Sequence, residues 1–425
     1  MSTIDSTNST NETFAWKQKV LDELSKQHIT EEFHNEIEDL SISLEDGLTH
    51  SYHSTSILTQ GISNDWKICS ENEVLDEVES NKKLLEVLMN GADTLIISPL
   101  KNELNWDELF KDIAFNYITT FIQITNQKLL DSLEKWYSNQ PNFFITLEFS
   151  SNENTDEIVG MIATTKIPIK LKINGFALQQ CGANSQQELA YVANQLHEVI
   201  LLLENRKNIC FQFNIGVGSN FMIEIAKFRA LKGQVQTILQ HYDIPSNSFE
   251  VIGEIGWTNK SLKDPTTNQL RQTTEALSAI IGGVDYLQIH PYDTKSVKGN
   301  STFTQRMALN ISSILKEESY LKLVKDAYRG SYYLEHLTDK IGDGSWDLFK
   351  KLESYHEIHS PKKIELIVSM VNKTVKIRIE NFEKKAIKLI GLNVFKNSNP
   401  TDNEWIIEPT FLGMESFRYE KIECK

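Results

Sequence analysis

Residues 209–255 read ICFQFNIGVGSNFMIEIAKFRALKGQVQTILQHYDIPSNSFEVIGEI. A short apolar run, Ile209–Ile215, turns at Gly216-Val217-Gly218-Ser219-Asn220 and gives way to helical spacing over Asn220–His241. After Ile244-Pro245 a second apolar run, Phe249–Ile255, follows. Strand, crossover helix and strand in this order form the unit of a parallel sheet. Outward from it the alternation repeats. Strands are expected at Thr94–Ser98, Tyr117–Ile124, Phe143–Phe149, Ile167–Ile173, Tyr286–His290 and Lys388–Val394, besides the two quoted. Helices are expected at Val74–Asn90, Asn184–Glu204, Asn268–Ile281, Phe303–Val324, Ser345–Glu353 and Ile364–Glu383. Eight strands alternating with helices predict an α/β fold, a (β/α)8 TIM barrel. A doubly wound sheet is the alternative, because periodicity does not show closure. The expected divisions are a polar leader over 1–12, an N-terminal arm over 13–90, the barrel over 91–396 and a tail over 397–425. In the arm, Trp16, Val20 and Leu24 fall at helical spacing within Phe14–Ser25.

Composition narrows the function classes. The chain has 425 residues, 40% hydrophobic and 24% charged, enough for a large core. With 43 basic and 58 acidic residues its formal net charge is −15, which argues against a nucleic-acid or anionic-membrane surface. No run approaches the roughly 18 apolar residues of a membrane helix. Cys69, Cys181, Cys210 and Cys424 form no CxxC pair, so neither a disulfide scaffold nor a structural zinc site is expected. The Ser/Thr/Asn-rich leader lacks an apolar signal core and an Arg-rich transit pattern. A cytoplasmic setting is expected.

Chemistry in such barrels sits at the C-terminal ends of the strands. Those positions hold Glu148, Lys172 with Asn174, Asn214, Glu254, His290 and Asn393. Glu254 and His290 are the acid–base candidates; each is equally suited to satisfying backbone groups in loops. Gly216–Asn220 resembles an anion-holding turn at a helix start, yet it lacks the third glycine of a dinucleotide fingerprint and the Lys-Ser/Thr of a P-loop. A plain turn with Asn220 at the cap explains it as well. Asp264-Pro265 starts a helix bearing Asn268 and Arg271. Arg271, with Asn214, is a substrate-binding candidate, although pairing with Glu275 one turn on serves it equally. His50, Tyr52 and His53 lack a third ligand, and no metal site is expected. Arg329-Gly330-Ser331-Tyr332-Tyr333 reads as packing beneath a loop.

Several motifs then converge. Glu224-Ile225-Ala226-Lys227-Phe228-Arg229-Ala230 is similar to the E-I-A-K-x-R-A helix of the methylmalonyl-CoA mutase family. Asp264-Pro265, Asn268, Arg271, Thr273-Thr274-Glu275-Ala276-Leu277 and Gly282-Gly283 follow in that family's order. Next come Arg306 to Asn310, Glu317-Glu318, and Gly330-Ser331-Tyr332-Tyr333 with Glu335 and Thr338, resembling its G-S-Y-Y-x-E signature. The resemblance extends more faintly from Trp16-Lys17 to Gly391-Leu392-Asn393.

The resemblance implies a substrate barrel with an arm that embraces a partner, here Phe14 to about Asn72. It also implies adenosylcobalamin-dependent interconversion of methylmalonyl-CoA and succinyl-CoA by radical rearrangement, the cofactor supplying the radical. Departures from the family's catalytic chains select among its members. Their R-T-H-x-Q-T-S-G histidine would fall on Ile252, and no histidine lies between His241 and His290. Their W-T-I-R-Q-Y segment reads Trp66-Lys67-Ile68-Cys69-Ser70-Glu71, and their H-T-N run reads Gln288-Ile289-His290. The D-x-H-x-x-G cobalt-ligand motif is not found, and seven arginines make a thin clamp for CoA phosphates. The expectation is therefore a small (beta) subunit, heterodimeric with a large (alpha) catalytic chain that binds adenosylcobalamin. No catalytic or cofactor-binding residues are expected here. One alternative is an active acyl-CoA mutase barrel using a cobalamin domain on a separate chain. Another is a cobalamin-independent barrel enzyme using Glu254 and His290.

Overall fold

The computed structural model describes residues 32–43, 64–149, 155–203, 209–356, 358 and 360–423, with scattered positions between 15 and 26. Eight parallel strands close into a barrel: β3 (Lys67–Val74), β4 (Thr94–Pro99), β5 (Thr119–Gln123), β6 (Phe143–Phe149), β7 (Ile169–Asn174), β8 (Cys210–Val217), β9 (Phe249–Ile255) and β10 (Tyr286–Gln288). Closure comes from β10, which pairs with β9 and with β3, setting Tyr286, Leu287 and Gln288 opposite Lys67, Ile68 and Cys69. An antiparallel hairpin, β1 (Glu32–Asn35) with β2 (Leu40–Ser43), lies outside the barrel.

Side-chain alternation sorts the strands into an outer and an inner face. Outward residues such as Leu95, Ile97, Ile122, Ile145, Leu171, Phe213 and Val251 are buried beneath the helices. Inward, Cys69, Ile96, Phe121, Ile252 and Tyr286 fill the middle of the barrel, with Phe144 beside them. Below this layer Lys170 meets Glu250 at 2.8 Å. Above it the inward residues turn polar, which makes the mouth.

The barrel is the expected one, but its two ends differ from the sequence reading. The stretch 67–74, placed in the arm, is the first barrel strand. Its KICSENEV sequence hides this, because the inward and mouth-end positions carry polar groups in place of a β-branched run. Lys388–Val394, expected as the last strand, is a turn. Asn393 accepts from the Leu389 amide at 2.7 Å and donates to the Ile387 carbonyl at 2.7 Å, while Gly391 sits at φ +80°. With β10 already paired on both sides, no sheet edge remains for it. The helix expected over Phe303–Val324 ends as Thr302–Ser313, continues as one widened turn over Ile314–Glu318, and breaks at Tyr320 (φ +56°).

Two long helices after the barrel, Tyr332–Glu353 and Pro361–Glu383, form an outer layer. Beneath it runs Ser185–Leu202, buried along most of its length and started by a capping box of Asn184 and Gln187. The hairpin docks on that start: Glu38 accepts from the Ser185 amide at 2.8 Å, and Asn184 and Gln186 donate to the Ile37 and Glu38 carbonyls. This part of the expected arm thus packs on its own barrel. Trp16, Leu24, His50, Tyr52 and His53 lie outside the described residues.

Ahead of Ser185–Leu202, Gly182 adopts φ +100°, and a Cβ there would stand 2.5 Å from Val375. Gly182→Ala is expected to cost about 1–2 kcal/mol of unfolding free energy in urea titrations; an unchanged midpoint would mean that this corner yields freely.

Candidate functional site: the barrel mouth

The mouth is built by neighbouring strand ends. Glu71 comes from β3, Glu148 from β6, Lys172 and Asn174 from β7, Gln212 and Asn214 from β8, Glu254 from β9 and Gln288 from β10, with His290 two residues further on. They surround a cavity of about 450 Å³. The structure thereby brings together Glu148, Lys172, Asn174, Asn214, Glu254 and His290 of the sequence candidates. Asn393 belongs to the turn described above, away from the mouth.

Most of these groups hold one another. Glu254 Oε1 lies 2.8 Å from His290 Nε2, and Asn214 Nδ2 donates to Glu254 Oε2 at 2.7 Å. Burial opposes ionisation of Glu254, but His290, Lys172 and Asn214 outweigh it and hold the carboxyl below its usual range. Lys172 approaches Glu148 at 3.2 Å, and Asn174 donates to the same carboxylate at 2.9 Å. Burial would lower the Lys172 ammonium, yet Glu148, Glu254 and Glu71 together raise it. The His290 ring leans on Trp257, centroids 4.6 Å apart, and its carbonyl accepts from Gln272 at 2.8 Å.

A segment from the C-terminal region roofs the cavity with Glu408, Pro409, Thr410, Phe411 and Ser416. Backbone bonds fasten it on both sides of the mouth: Ile406 to Lys295 at 2.9 Å, Phe417 to Gln180 at 2.7 Å and Tyr419 to Thr258 at 3.0 Å. Glu408 bridges Lys295 at 3.0 Å and Arg418 at 2.7 Å. Glu420 accepts from Ser261 Oγ and from the Leu262 and Lys263 amides at 2.9–3.1 Å. Sequence reading treated this stretch as a tail and missed its role, since nothing in its periodicity points back to the mouth. Glu71, Gln212 and Gln288 were also missed as site residues; Glu71 followed from the unrecognised strand β3.

The remaining candidates serve the scaffold. At Gly216–Asn220 the Gly216 amide donates to Glu188 at 2.8 Å, so a protein carboxylate takes the place of an anion, and Asn220 caps the next helix. Arg271 donates to Asn268 Oδ1 at 2.8 Å and to the Ile390 carbonyl. It forms no pair with Glu275, whose carboxylate takes Lys260 at 2.7 Å. Arg271 is not among the residues that line the cavity. Tyr332 and Tyr333 stand half-exposed on the first turn of their helix.

A model of methylmalonyl-CoA mutase matches residues 120–420. The chain belongs to the methylmalonyl-CoA mutase family. Among mutase relatives, the small subunit from Porphyromonas gingivalis is 30% identical over 369 residues, 79% of this chain and 60% of that one. The small subunit from Streptomyces virginiae is 30% identical over 43% of this chain and 31% of its own. The mutase from Rhizobium meliloti is 26% identical over 55% and 34% respectively. The chain thus spans a third to three-fifths of the length of these relatives.

The mutase signature residues lie away from the mouth lining. Lys227 bridges Glu224 at 2.7 Å and Glu188 at 3.0 Å, all three buried. Arg229 pairs with Asp326 and, at 2.7 Å, with Glu335 of the G-S-Y-Y-x-E stretch. Asn268 bonds both the amide and the carbonyl of Ser261. These motifs tie helices to loops and to the outer layer.

Proposed function

We propose that the chain is the small subunit of an adenosylcobalamin-dependent methylmalonyl-CoA mutase, a non-catalytic partner of a large chain that carries the cofactor and the active site. The observation that carries this reading is the roofed mouth, whose principal acid–base candidates are bound to each other beneath residues 408–416. The small-subunit relatives support it, and so does the scaffolding role of the signature motifs. The cavity, about 450 Å³, suits a small molecule. In this reading adenosylcobalamin is carried by the partner. Exposed Tyr320, Leu323 and Val324, grouped at one break in the helix layer, offer apolar surface for that partner. No described helix is long and apolar enough to cross a membrane, and a cytoplasmic heterodimer is the setting we assign.

The test is co-expression with a cobalamin-domain mutase chain from the same source. A stable one-to-one complex is expected, with mutase turnover by the pair and none by this chain alone. Failure to associate overturns the reading. Turnover by the isolated chain would favour a second one, supported by the 2.8 Å Glu254–His290 contact: a cobalamin-independent acid–base enzyme.

A further inference from the structure

Three consecutive neighbours in the barrel, β9, β10 and β3, bring Glu254, His290 and Glu71 to one corner of the mouth. One ligand atom from each lies within 4.8 Å of the others. Ions bound at about 2.0–2.2 Å hold their ligand atoms roughly 3–4 Å apart, so small rotations of these side chains close the set. The two carboxylates sit beside a partly buried imidazole, while the nearby Lys172 ammonium is already engaged by Glu148. Glu71 and Glu254 therefore leave the corner with excess negative charge.

The hydrogen bonding of the corner is not self-consistent. His290 Nε2 faces Glu254 Oε1 at 2.8 Å and the Gln288 amide nitrogen at 3.2 Å. One ring nitrogen cannot donate to the carboxylate and accept from the amide at once. The amide also reaches Glu71 Oε2 at 2.8 Å. A second observation comes from neighbouring residues that are not among the three. Asn214, only 3% exposed, places Nδ2 on Glu254, while its Oδ1 is buried and has no hydrogen-bonding partner among the described residues. Gln212, 1% exposed and lining the same cavity, leaves Nε2 in the same state. Buried polar atoms are rarely left so; Asn214 Oδ1 can accept from a cation's bound water or ligate the cation itself, and Gln212 Nε2 can donate to such a water.

We propose that Glu71, Glu254 and His290 form a site for a divalent transition-metal cation in the barrel mouth. The imidazole lone pair and two carboxylate oxygens give a mixed nitrogen and oxygen set, suited to Mn²⁺, Fe²⁺ or Zn²⁺ and unlike the all-oxygen cages of Ca²⁺. The cation takes the Nε2 lone pair, so that the ring nitrogen neither donates nor accepts, and the Gln288 amide keeps Glu71 Oε2 as its acceptor. Asn214 Oδ1 can serve as a further oxygen ligand or hold a bound water, while Asn214 Nδ2 donates to Glu254 Oε2 and fixes that carboxylate. Three protein ligands beside a cavity leave coordination positions open to water or a small oxygen ligand, as in sites that do chemistry. The site goes beyond the small-subunit reading and does not depend on it.

The experiment uses the full chain alone, stripped with a chelator and titrated with Mn²⁺ or Zn²⁺ by calorimetry, free Mn²⁺ being followed in parallel by paramagnetic resonance. One ion per chain is expected. Glu71→Gln and His290→Ala should each weaken binding about 10–100-fold. Circular dichroism checks the fold of each variant; Glu71 is exposed, so its variant decides the matter if His290→Ala does not fold. Absence of saturable one-to-one binding overturns the proposal, and so does binding that Glu71→Gln leaves unchanged. Because no partner is present, neither result bears on the heterodimer.

Discussion

Lys227→Ala is expected to lower the unfolding free energy by about 3–5 kcal/mol, the cost of leaving buried charges without their counter-ion. Lys227 is 1% exposed, donates to Glu188 at 3.0 Å and to the Gly216 carbonyl at 2.6 Å, and pairs with Glu224 at 2.7 Å. Glu188 is itself fully buried and reaches the Gly216 amide. Removing the ammonium strands two carboxylates beside each other and orphans a carbonyl at the end of β8. Urea unfolding at pH 7 measures the loss. It should shrink at pH 5, where the stranded carboxyls take up protons more readily. A loss under 1 kcal/mol would show that water or a rearranged side chain reaches the cluster.

The same cluster makes stability depend on pH near neutrality. Burial pushes the Glu224 carboxyl up to about 7; Lys227 opposes this, and Glu188 adds to it. The folded state therefore keeps a proton that the unfolded chain releases near its ordinary value of 4.5. Stability from this group is complete below about 4.5 and is lost as pH rises through about 7. The displacement corresponds to about 3 kcal/mol. Glu224→Gln keeps the neutral form at every pH. The difference in unfolding free energy between variant and parent should accordingly move by about 3 kcal/mol in the variant's favour from pH 4.5 to 8. Parallel urea titrations over that range read it directly. Glu250 and Asp326, also raised mainly by burial, stand outside this cluster and tilt parent and variant alike, so the comparison isolates Glu224 together with the Glu188 and Lys227 it touches. A difference that stays flat with pH would refute the assignment.

Both expectations concern residues whose importance was readable before their purpose was. Glu224, Lys227 and Arg229 stood out through a family motif, and only the packed structure shows them joining β8, the outer helices and the Gly330–Glu335 stretch. The barrel itself was legible because seven strands carry apolar residues on their helix-facing side. The eighth was not, because in β3 the pattern that helices impose is interrupted by Ser70, by the mouth residue Glu71 and by Glu73. Lys388–Val394 has the apolar content of a strand, and the hydrogen bonds of Asn393 decide otherwise. At the mouth, Glu254 and His290 could be anticipated from their positions at strand ends. Gln288, Glu408 and the roof could not, since their placement depends on register and on contacts between distant parts of the chain.

Closure between β3 and β10 has a consequence during synthesis. Glu71 and Gln288 are 217 positions apart, and the roof over them comes later still. At about 5–20 residues per second, roughly 10–40 seconds separate the emergence of these two strands from the ribosome. Throughout that interval the nascent sheet has two unpaired edges, each a template for pairing with another chain. Nascent chains arrested before Tyr286 should therefore be cleaved readily by protease and recovered with chaperones, whereas chains extended past Glu420 should resist both. The feature that closes the barrel thus makes its birth a long exposure, and the yield of folded chain becomes sensitive to translation speed.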